Sequence, residues 1–462
     1  MLEDKMRMLA LLDGKRLIFV GLGVSHAALI EQLAGHGLDI TVCDKREAGQ
    51  LSGACKTLAD KGVKMLLGKD YPDAFEGDVL FRTPGMYFFS PELSDFRARG
   101  GVVTSEMELF CRFCPCPILA VTGSDGKTTT TTLTAELLLA EGYTVHLGGN
   151  IGRALLPELE HIRPDDLAVA ELSSFQLISM RCAPQVSVVT NMTPNHLDVH
   201  KDMPEYIGAK KNIYAHQDAF SLTVLGADNP ITASMVPEVR GRCETFSLKG
   251  RVQNGAYLRA DGMLCRVRGG EEQPIVHRDE IRLPGGHNVA NLLAAICAAG
   301  DRVSAQTIAG VAREFSGVEH RIELVRTLGG ANWYNDSIAT SPTRAMAGLA
   351  SFSRKIILIA GGYDKNLDFA PLAPALTEKV KLLILMGTTA DKIESALRGF
   401  SGYKDGEPII LRANDMAHAV SLAYEHAREG DVVSLSPASA SFDSYPNFEA
   451  RGRHFKELVQ AL

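Results

Sequence analysis

Tryptophan is almost missing from this chain, one residue among 462, and aromatic residues make up only 6%. An excess of basic charge is lacking as well: the formal net charge is -7 and the isoelectric point lies near 6.0, which gives no electrostatic footprint for nucleic acid. No partnership with nucleic acid or with an anionic membrane surface is expected, and any anionic substrate must meet locally placed cations. Long apolar runs are also lacking: nothing reaches the ~18 uninterrupted apolar residues of a membrane helix. The first residues, MLEDKMRMLALLDGKRLIFVGLG, mix acids and bases through their apolar positions, unlike a secretion signal. A cytoplasmic location is expected. The nine cysteines are an odd number without a secretion signal, which points to reduced thiols. Cys111, Cys114 and Cys116 resemble half of a zinc site, but no second CxxC accompanies them and two prolines interrupt them.

Hydrophobic residues at 45% and charged residues at 22% describe a globular protein, and the length predicts roughly three domains of about 150 residues. Short β-rich runs alternate with helical patterns, the mark of α/β domains with largely parallel sheets. The clearest strands are 17–20, 118–121, 167–172, 186–190, 356–360, 382–386 and 432–435. Residues 221–284 carry turn signals at Asn254-Gly255 and Asp261-Gly262, which predict hairpins. Asp228-Asn229-Pro230 reads as a turn. The segment CRFCPCP before Ile118 and the stretch from Phe315 to His320 read as linkers, so boundaries are set near 108 and 314.

In open α/β sheets, ligands bind beyond the carboxyl ends of strands. After strand 118–121 stands Thr122-Gly123-Ser124-Asp125-Gly126-Lys127-Thr128-Thr129, followed by a helical pattern through Leu139. Backbone N–H groups of such a loop and the helix N-terminus surround phosphates, the lysine neutralises charge and a hydroxyl reaches Mg²⁺. The general phosphate-loop pattern asks for glycine at position 121, where Val121 stands; the run fits a shorter TGxxGKTT form. Glu171 closes the next strand in ELSSFQL, and the string Thr190 to Asp198, TNMTPNHLD, closes the one after, bringing His196. A carboxylate and an imidazole beside a phosphate loop suit Mg²⁺. Near the N-terminus, Gly21-Leu22-Gly23-Val24-Ser25-His26 follows a strand and Asp44 ends the next. This allows an NAD site or a purely structural turn, although His26 stands where a third glycine would let the helix pack closely.

Together these motifs, in this order, resemble the Mur ligase family, from about residue 15 to the C-terminus. Further matches are Gly148-Gly149-Asn150-Ile151-Gly152, Gly286-His287-Asn288-Val289-Ala290-Asn291, His320-Arg321 and Asn335-Asp336-Ser337. The C-terminal string Ser436 to Asp443, SPASASFD, with Asn447-Phe448-Glu449 and Arg451-Gly452, is similar to the branch that adds D-glutamate, as is ELSSFQL. The resemblance implies a Rossmann-like N-terminal domain (1–108) for the UDP-substrate, a central P-loop ATPase-like domain (109–314) with a mostly parallel sheet and a small added β region, and a Rossmann-like C-terminal domain (315–462) for the amino acid.

It implies ATP and D-glutamate as substrates with UDP-N-acetylmuramoyl-L-alanine, an acyl-phosphate intermediate, two Mg²⁺ ions and a monomer working in peptidoglycan precursor synthesis. ATP would meet Gly123, Ser124, Asp125, Gly126, Lys127, Thr128, Thr129, Asn288, Asn291, Arg321 and Asp336. The UDP-substrate would meet Ser25, Asp44, Lys45, Gly85 and Asn150; D-glutamate would meet Thr340, Lys365, Ser441 and Phe448. Metal would be held by Thr128, Glu171, His196 and a carbamate on Lys210, fourteen residues after His196. His196 either holds metal or takes a proton from the incoming amine. Lys211 is read as a solvated charge. Where many members have lysine after Asp336-Ser337, this chain has Ile338. Two other readings stay open: a relative adding L-alanine or extending folate, and a nucleotide-binding regulator without turnover. The intact Lys127, Glu171, His196 and Lys365 weigh against the regulator.

Overall fold

The computed structural model describes residues 2–462 apart from 52, 53, 152, 153, 182, 195–198, 284, 365 and 366; at Leu2, Val24, Ser25, Gln50 and residues 54–56 it describes backbone alone. The chain forms two compact units, Met1–Phe315 and Ser316–Leu462. The first holds two sheets. Strands β1 (Arg16–Val20), β2 (Asp39–Asp44), β3 (Lys64–Leu67), β4 (Val79–Arg82) and β5 (Val102–Thr104) form a parallel sheet in the order β3-β2-β1-β4-β5.

The second sheet contains β6 (Ile118–Thr122), β7 (Val145–Gly149), β8 (Leu167–Glu171), β9 (Val186–Val189), β10 (Leu222–Gly226), β11 (Arg242–Ser247), β12 (Gly255–Leu258), β13 (Met263–Arg268) and β14 (Glu271–His277). Their order is β14-β13-β12-β11-β10-β9-β6-β8-β7, parallel from β7 across to β12 and antiparallel from there. All residues of β6, β8 and β9 are buried, as strands covered on both faces require. Alternate side chains of β6 feed two cores. Ile118 and Ala120 join a cluster with Phe19 and Phe81 of the first sheet and Phe110 of the helix after it, whereas Leu119 and Val121 pack with Leu133 and Leu293 on the other face.

The second unit carries β15 (Glu323–Leu328), β16 (Ala331–Asn335), β17 (Ile356–Ala360), β18 (Val380–Leu385), β19 (Ile409–Arg412) and β20 (Val432–Leu435), in the order β15-β16-β20-β17-β18-β19. Only β15 is antiparallel to its neighbour. Trp333 is buried in this unit's core. Among the described residues, no helix is long and apolar enough to cross a membrane.

Three local expectations are corrected. The stretch CRFCPCP is a linker only in part, because Cys111 to Phe113 close the helix Glu106–Phe113. Ser105 caps that helix by accepting from Glu108 N, and the buried Glu106 carboxylate accepts from Leu156 N at 2.7 Å, tying the helix to the second sheet's side. Asp261-Gly262 does make the β12–β13 hairpin, but Gly255 opens β12 in parallel pairing with β11. Asn229 is a helix cap, its Oδ1 accepting from Ile231 N and Thr232 N with Pro230 first in the helix Pro230–Ser234.

Arg82, at the carboxyl end of β4, is a polar tie between the two sheets' layers. Its buried guanidinium donates to Ser179 Oγ (2.8 Å), to Met86 O (3.1 Å) and to Phe175 O. Burial lowers its pKa to about 10, yet it stays charged at neutral pH. Arg82→Met strands those acceptors and should lower the unfolding free energy by about 2–3 kcal/mol. Urea denaturation followed by circular dichroism checks this; a loss under about 0.5 kcal/mol would show that the guanidinium contributes little.

Candidate active site

β6 delivers its carboxyl end into the glycine loop. At Gly123 (φ +145°) an added Cβ would sit 1.9 Å from Thr190 Oγ1, and at Gly126 (φ +77°) it would sit 2.2 Å from Asn291 Oδ1. Both positions therefore demand glycine for space as well as for backbone shape. Gly126 caps the helix Lys127–Ala140, whose first-turn N–H groups open onto the loop. The loop is strapped from β9: Thr190 Oγ1 donates to Asp125 O at 2.6 Å, Asp125 N donates to Asn191 Oδ1 at 3.0 Å, and Thr193 Oγ1 reaches Asp125 Oδ2 at 3.3 Å. Ser124 turns inward, its Oγ meeting Thr193 O and Tyr206 OH, each at 2.9 Å. Thr131, Thr132 and Thr134 donate to carbonyls four residues back, at 2.8–2.9 Å. These threonines satisfy themselves within the helix, so part of the threonine run serves packing. Thr128 and Thr129 begin the helix at the loop; Asn288 and Asn291 lie on the helix Gly286–Ala299, with Asn291 behind Gly126 and bonded to Asn288 at 3.3 Å.

Two lysines meet under the loop. Lys127 Nζ donates to Gly123 O (3.0 Å) and Ser124 O (2.8 Å), while Lys210 Nζ donates to the same Gly123 O (2.7 Å) and to Thr122 Oγ1 (3.2 Å). Lys210 comes from the helix Met203–Lys211 and is 2% exposed. Burial, then the neighbouring Lys127, lowers its pKa to about 6 against the opposing pull of Glu171 and Asp125. Its neighbour Lys211 pairs instead with Glu238 at 2.6 Å. Glu171, at the end of β8, accepts from Asn150 Nδ2 at 2.7 Å through Oε1; among the described residues its buried Oε2 has no hydrogen-bond partner. His196 and Lys365 lie outside the described residues, as does the side chain of Ser25.

In the first sheet, Asp44 is consumed locally, accepting from Leu22 N (2.7 Å) and pairing with Arg46 (2.7 Å). Burial alone would raise its pKa, but Arg46 and the backbone N–H groups of Leu22 and Arg46 outweigh burial and lower it. Lys45 lies over the Tyr71 ring at 5.3 Å, and Gly85 has open space where a Cβ would be. His26 folds under the loop, its Nδ1 bonding Gly21 O at 2.9 Å; burial lowers its pKa to about 4, so it is neutral.

Within the second unit, Asp336 follows β16 and is buried, with Ser436 Oγ donating to it at 2.7 Å. Burial raises its carboxyl to about 7 despite that bond. Ser337 donates to Phe448 O at 2.8 Å, and the buried Arg451, not singled out as functional in the sequence, braces Ser337, Ser439 and Ala440. Ser441 is buried in the segment after β20, Thr340 is half-buried and Arg321 is exposed. Glu319, His320 and Glu323 bring ligand-type atoms together, but Lys456 already bridges the two carboxylates. Cys114 and Cys116 sulfurs sit 3.5 Å apart as a hydrogen-bonded pair, and no three-ligand group among the described residues includes them. Sequence reasoning passed over Arg82, Tyr87, His200 and Glu205, which carry no motif and meet only through the fold.

A glycine-capped loop between a parallel strand and a helix, with a lysine and a buried carboxylate at neighbouring strand ends, defines a nucleotide-phosphate-binding α/β enzyme. Known proteins narrow the class. Residues 121–299 match the Mur ligase middle domain, and residues 320–439 match the Mur ligase, glutamate ligase domain. The UDP-N-acetylmuramoylalanine–D-glutamate ligase of Clostridium botulinum (strain 657) is 46% identical over 97% of each chain. That of Acetivibrio thermocellus is 49% identical over 98% of this chain and 97% of its own. Among solved structures, a UDP-N-acetylmuramate-alanine ligase from Thermotoga maritima aligns with a TM-score of 0.54 at 19% identity, over 97% of this chain and 99% of its own. A pseudomurein peptide ligase type C from Methanothermus fervidus gives 0.53 at 17%, over 97% and 100%. These two attest the fold. The chain belongs to the Mur ligase family, whose members use ATP and Mg²⁺.

The buried state of Lys210 has a measurable sign. In the folded chain its amine is neutral above about 6, whereas in the unfolded chain it stays charged to about 10.4. Between those values the unfolded state binds the extra proton, so this group makes stability rise with pH by about 1.4 kcal/mol per unit. In bicarbonate-free buffer, Lys210→Met should be more stable than the parent at pH 7, with the gap closing towards pH 9. A gap independent of pH would mean that Lys210 is charged in the fold.

Proposed function

We infer that the protein joins D-glutamate to UDP-N-acetylmuramoyl-L-alanine, driven by cleavage of ATP to ADP and phosphate, in peptidoglycan precursor synthesis and hence in cell wall biogenesis, shape and division. Full-length likeness to relatives bearing that name carries the reading. Residues 1–108 take the UDP-substrate, 109–314 take ATP and 315–462 present the amino acid, with the protein working as a cytoplasmic monomer.

Lys127 and the N–H groups at the start of its helix bind the β- and γ-phosphates. The substrate carboxylate attacks the γ-phosphorus, the bond to ADP breaks and an acyl phosphate forms. The amine of D-glutamate then attacks the acyl carbon, and phosphate leaves as the amide forms. Positioning and charge stabilisation account for most of the acceleration. Thr128, Glu171, His196 and carbamoylated Lys210 would hold Mg²⁺; the buried Oε2 of Glu171, without a hydrogen-bond partner among the described residues, fits a cation. When bound, Mg²⁺ offsets the phosphate charge. The neutral amine of Lys210 adds to CO₂ and releases a proton, which replaces a repelling ammonium with an anionic oxygen ligand. Asn150, whose amide donates to Glu171, also meets the UDP-substrate. Ser25, Asp44, Lys45 and Gly85 form the uridine and diphosphate side; Thr340, Lys365, Ser441 and Phe448 form the D-glutamate side.

Phosphate release with a panel of UDP-muramoyl acceptors and amino acids tests the reading. D-glutamate should be strongly preferred over L-glutamate and L-alanine; comparable rates with L-alanine would move the chain to another branch, and no release with any pair would favour a regulator. Lys127→Ala should lose activity by orders of magnitude, and near-normal release would refute the phosphate-loop assignment. Lys210→Ala should be nearly inactive and partly rescued by short carboxylic acids.

A further inference from the structure

Among the described residues, the helix that carries Lys210 is fastened to the phosphate loop through Tyr206 and Lys210 itself, to Glu238 through Lys211, and at one more point that faces the first sheet. Tyr206 bonds Ser124 through its hydroxyl at 2.9 Å and lies under the Lys210 amine, 5.0 Å from ring centroid to Nζ. The other point is Glu205. Its backbone N–H donates to the Asp202 cap at 2.9 Å, and its carboxylate accepts from Tyr87 OH at 2.6 Å, from Lys201 N at 3.2 Å and from His200 Nδ1 at 3.1 Å. Burial would raise the Glu205 pKa, but these bonds outweigh it and hold the group ionised. A phenol on a carboxylate is a charge-assisted bond, roughly twice as strong as a neutral one.

His200 keeps the carboxylate in place. It is 2% exposed, bonds Ser174 Oγ at 2.9 Å through Nε2, and stacks on Phe175 at 5.3 Å between centroids. With Nδ1–H donating to Glu205, Nε2 accepts the serine hydroxyl, so both ring nitrogens are satisfied. Tyr87 itself belongs to the other layer: it follows β4 of the first sheet, two residues beyond Gly85.

We propose that Tyr87 and Glu205 are positioning residues that transmit occupancy of the uridine-nucleotide side, at Gly85, to the helix that presents Lys210. The proposal rests on the substrate reading above. A ligand settling on the segment 83–87 orders Tyr87, the hydroxyl fixes Glu205, and the helix five residues on holds its lysine under the loop. Such coupling is reciprocal and local, with no need of a domain movement.

Amide hydrogen exchange of residues 203–211 reads this directly, with UDP-N-acetylmuramoyl-L-alanine added to the full chain without ATP or Mg²⁺. The parent should show about tenfold slower exchange there on binding, and Tyr87→Phe, which removes only the hydroxyl, less than about twofold, with affinity for the ligand within about threefold. In turnover, Tyr87→Phe should lower kcat about tenfold and leave KM for ATP within about twofold, and adding Glu205→Gln should cost little more. Equal protection of the helix in parent and Tyr87→Phe overturns the relay while leaving the substrate reading intact. Failure of the parent to bind the ligand overturns both.

Discussion

One carbonyl oxygen, that of Gly123, receives hydrogen bonds from two lysine amines, Lys127 at 3.0 Å and Lys210 at 2.7 Å. The two nitrogens therefore lie within about 6 Å of each other, where two full charges at an effective dielectric of 20 repel by about 3 kcal/mol. Lys210 is the more deeply buried and is the one driven neutral. Around Lys210 stand Tyr206, Thr122 and the loop backbone, with the Glu171 and Asp125 carboxylates only partly offsetting burial and the Lys127 charge. The two lysines also differ in place: Lys127 begins the helix at the loop, and the buried amine of Lys210 lies behind it.

The rest of the site follows from sheet topology. Strand order β9-β6-β8 places three carboxyl ends side by side, so the glycine loop, Glu171 and the straps from Thr190 and Asn191 converge without long connections. β7, the edge strand beyond β8, adds Asn150 to the same end, where it holds one oxygen of Glu171 and the other has no hydrogen-bond partner among the described residues. The fully buried strands fix that convergence, because a one-residue slip would turn buried side chains against the wrong core.

Features encoded by neighbouring residues were legible in the sequence: the parallel strands, the glycine loop and the helix after it. Features encoded by contact between distant residues were not. Tyr87 and Glu205 are 118 positions apart, and Arg82 and Ser179 are 97 apart; a tyrosine, a glutamate or an arginine alone carries no pattern. Asn291 could be placed on a helix start, but its position behind Gly126 depends on how two helices pack. The helix Glu106–Phe113 was obscured by the cysteine and proline composition that follows its apolar face. Asp44 shows the converse: its place at a strand end was legible, while its use by Leu22 and Arg46 depended on a turn that spacing does not specify.

The neutrality of Lys210 is the claim on which the site most depends, and ¹³C NMR of the protein in ¹³C-bicarbonate buffer tests it most directly. The account predicts one carbamate carbon signal per chain that is missing in Lys210→Met. Spectra of parent and variant without any difference in the carbamate region, together with a Lys210 amine that titrates in the ordinary lysine range, would contradict it.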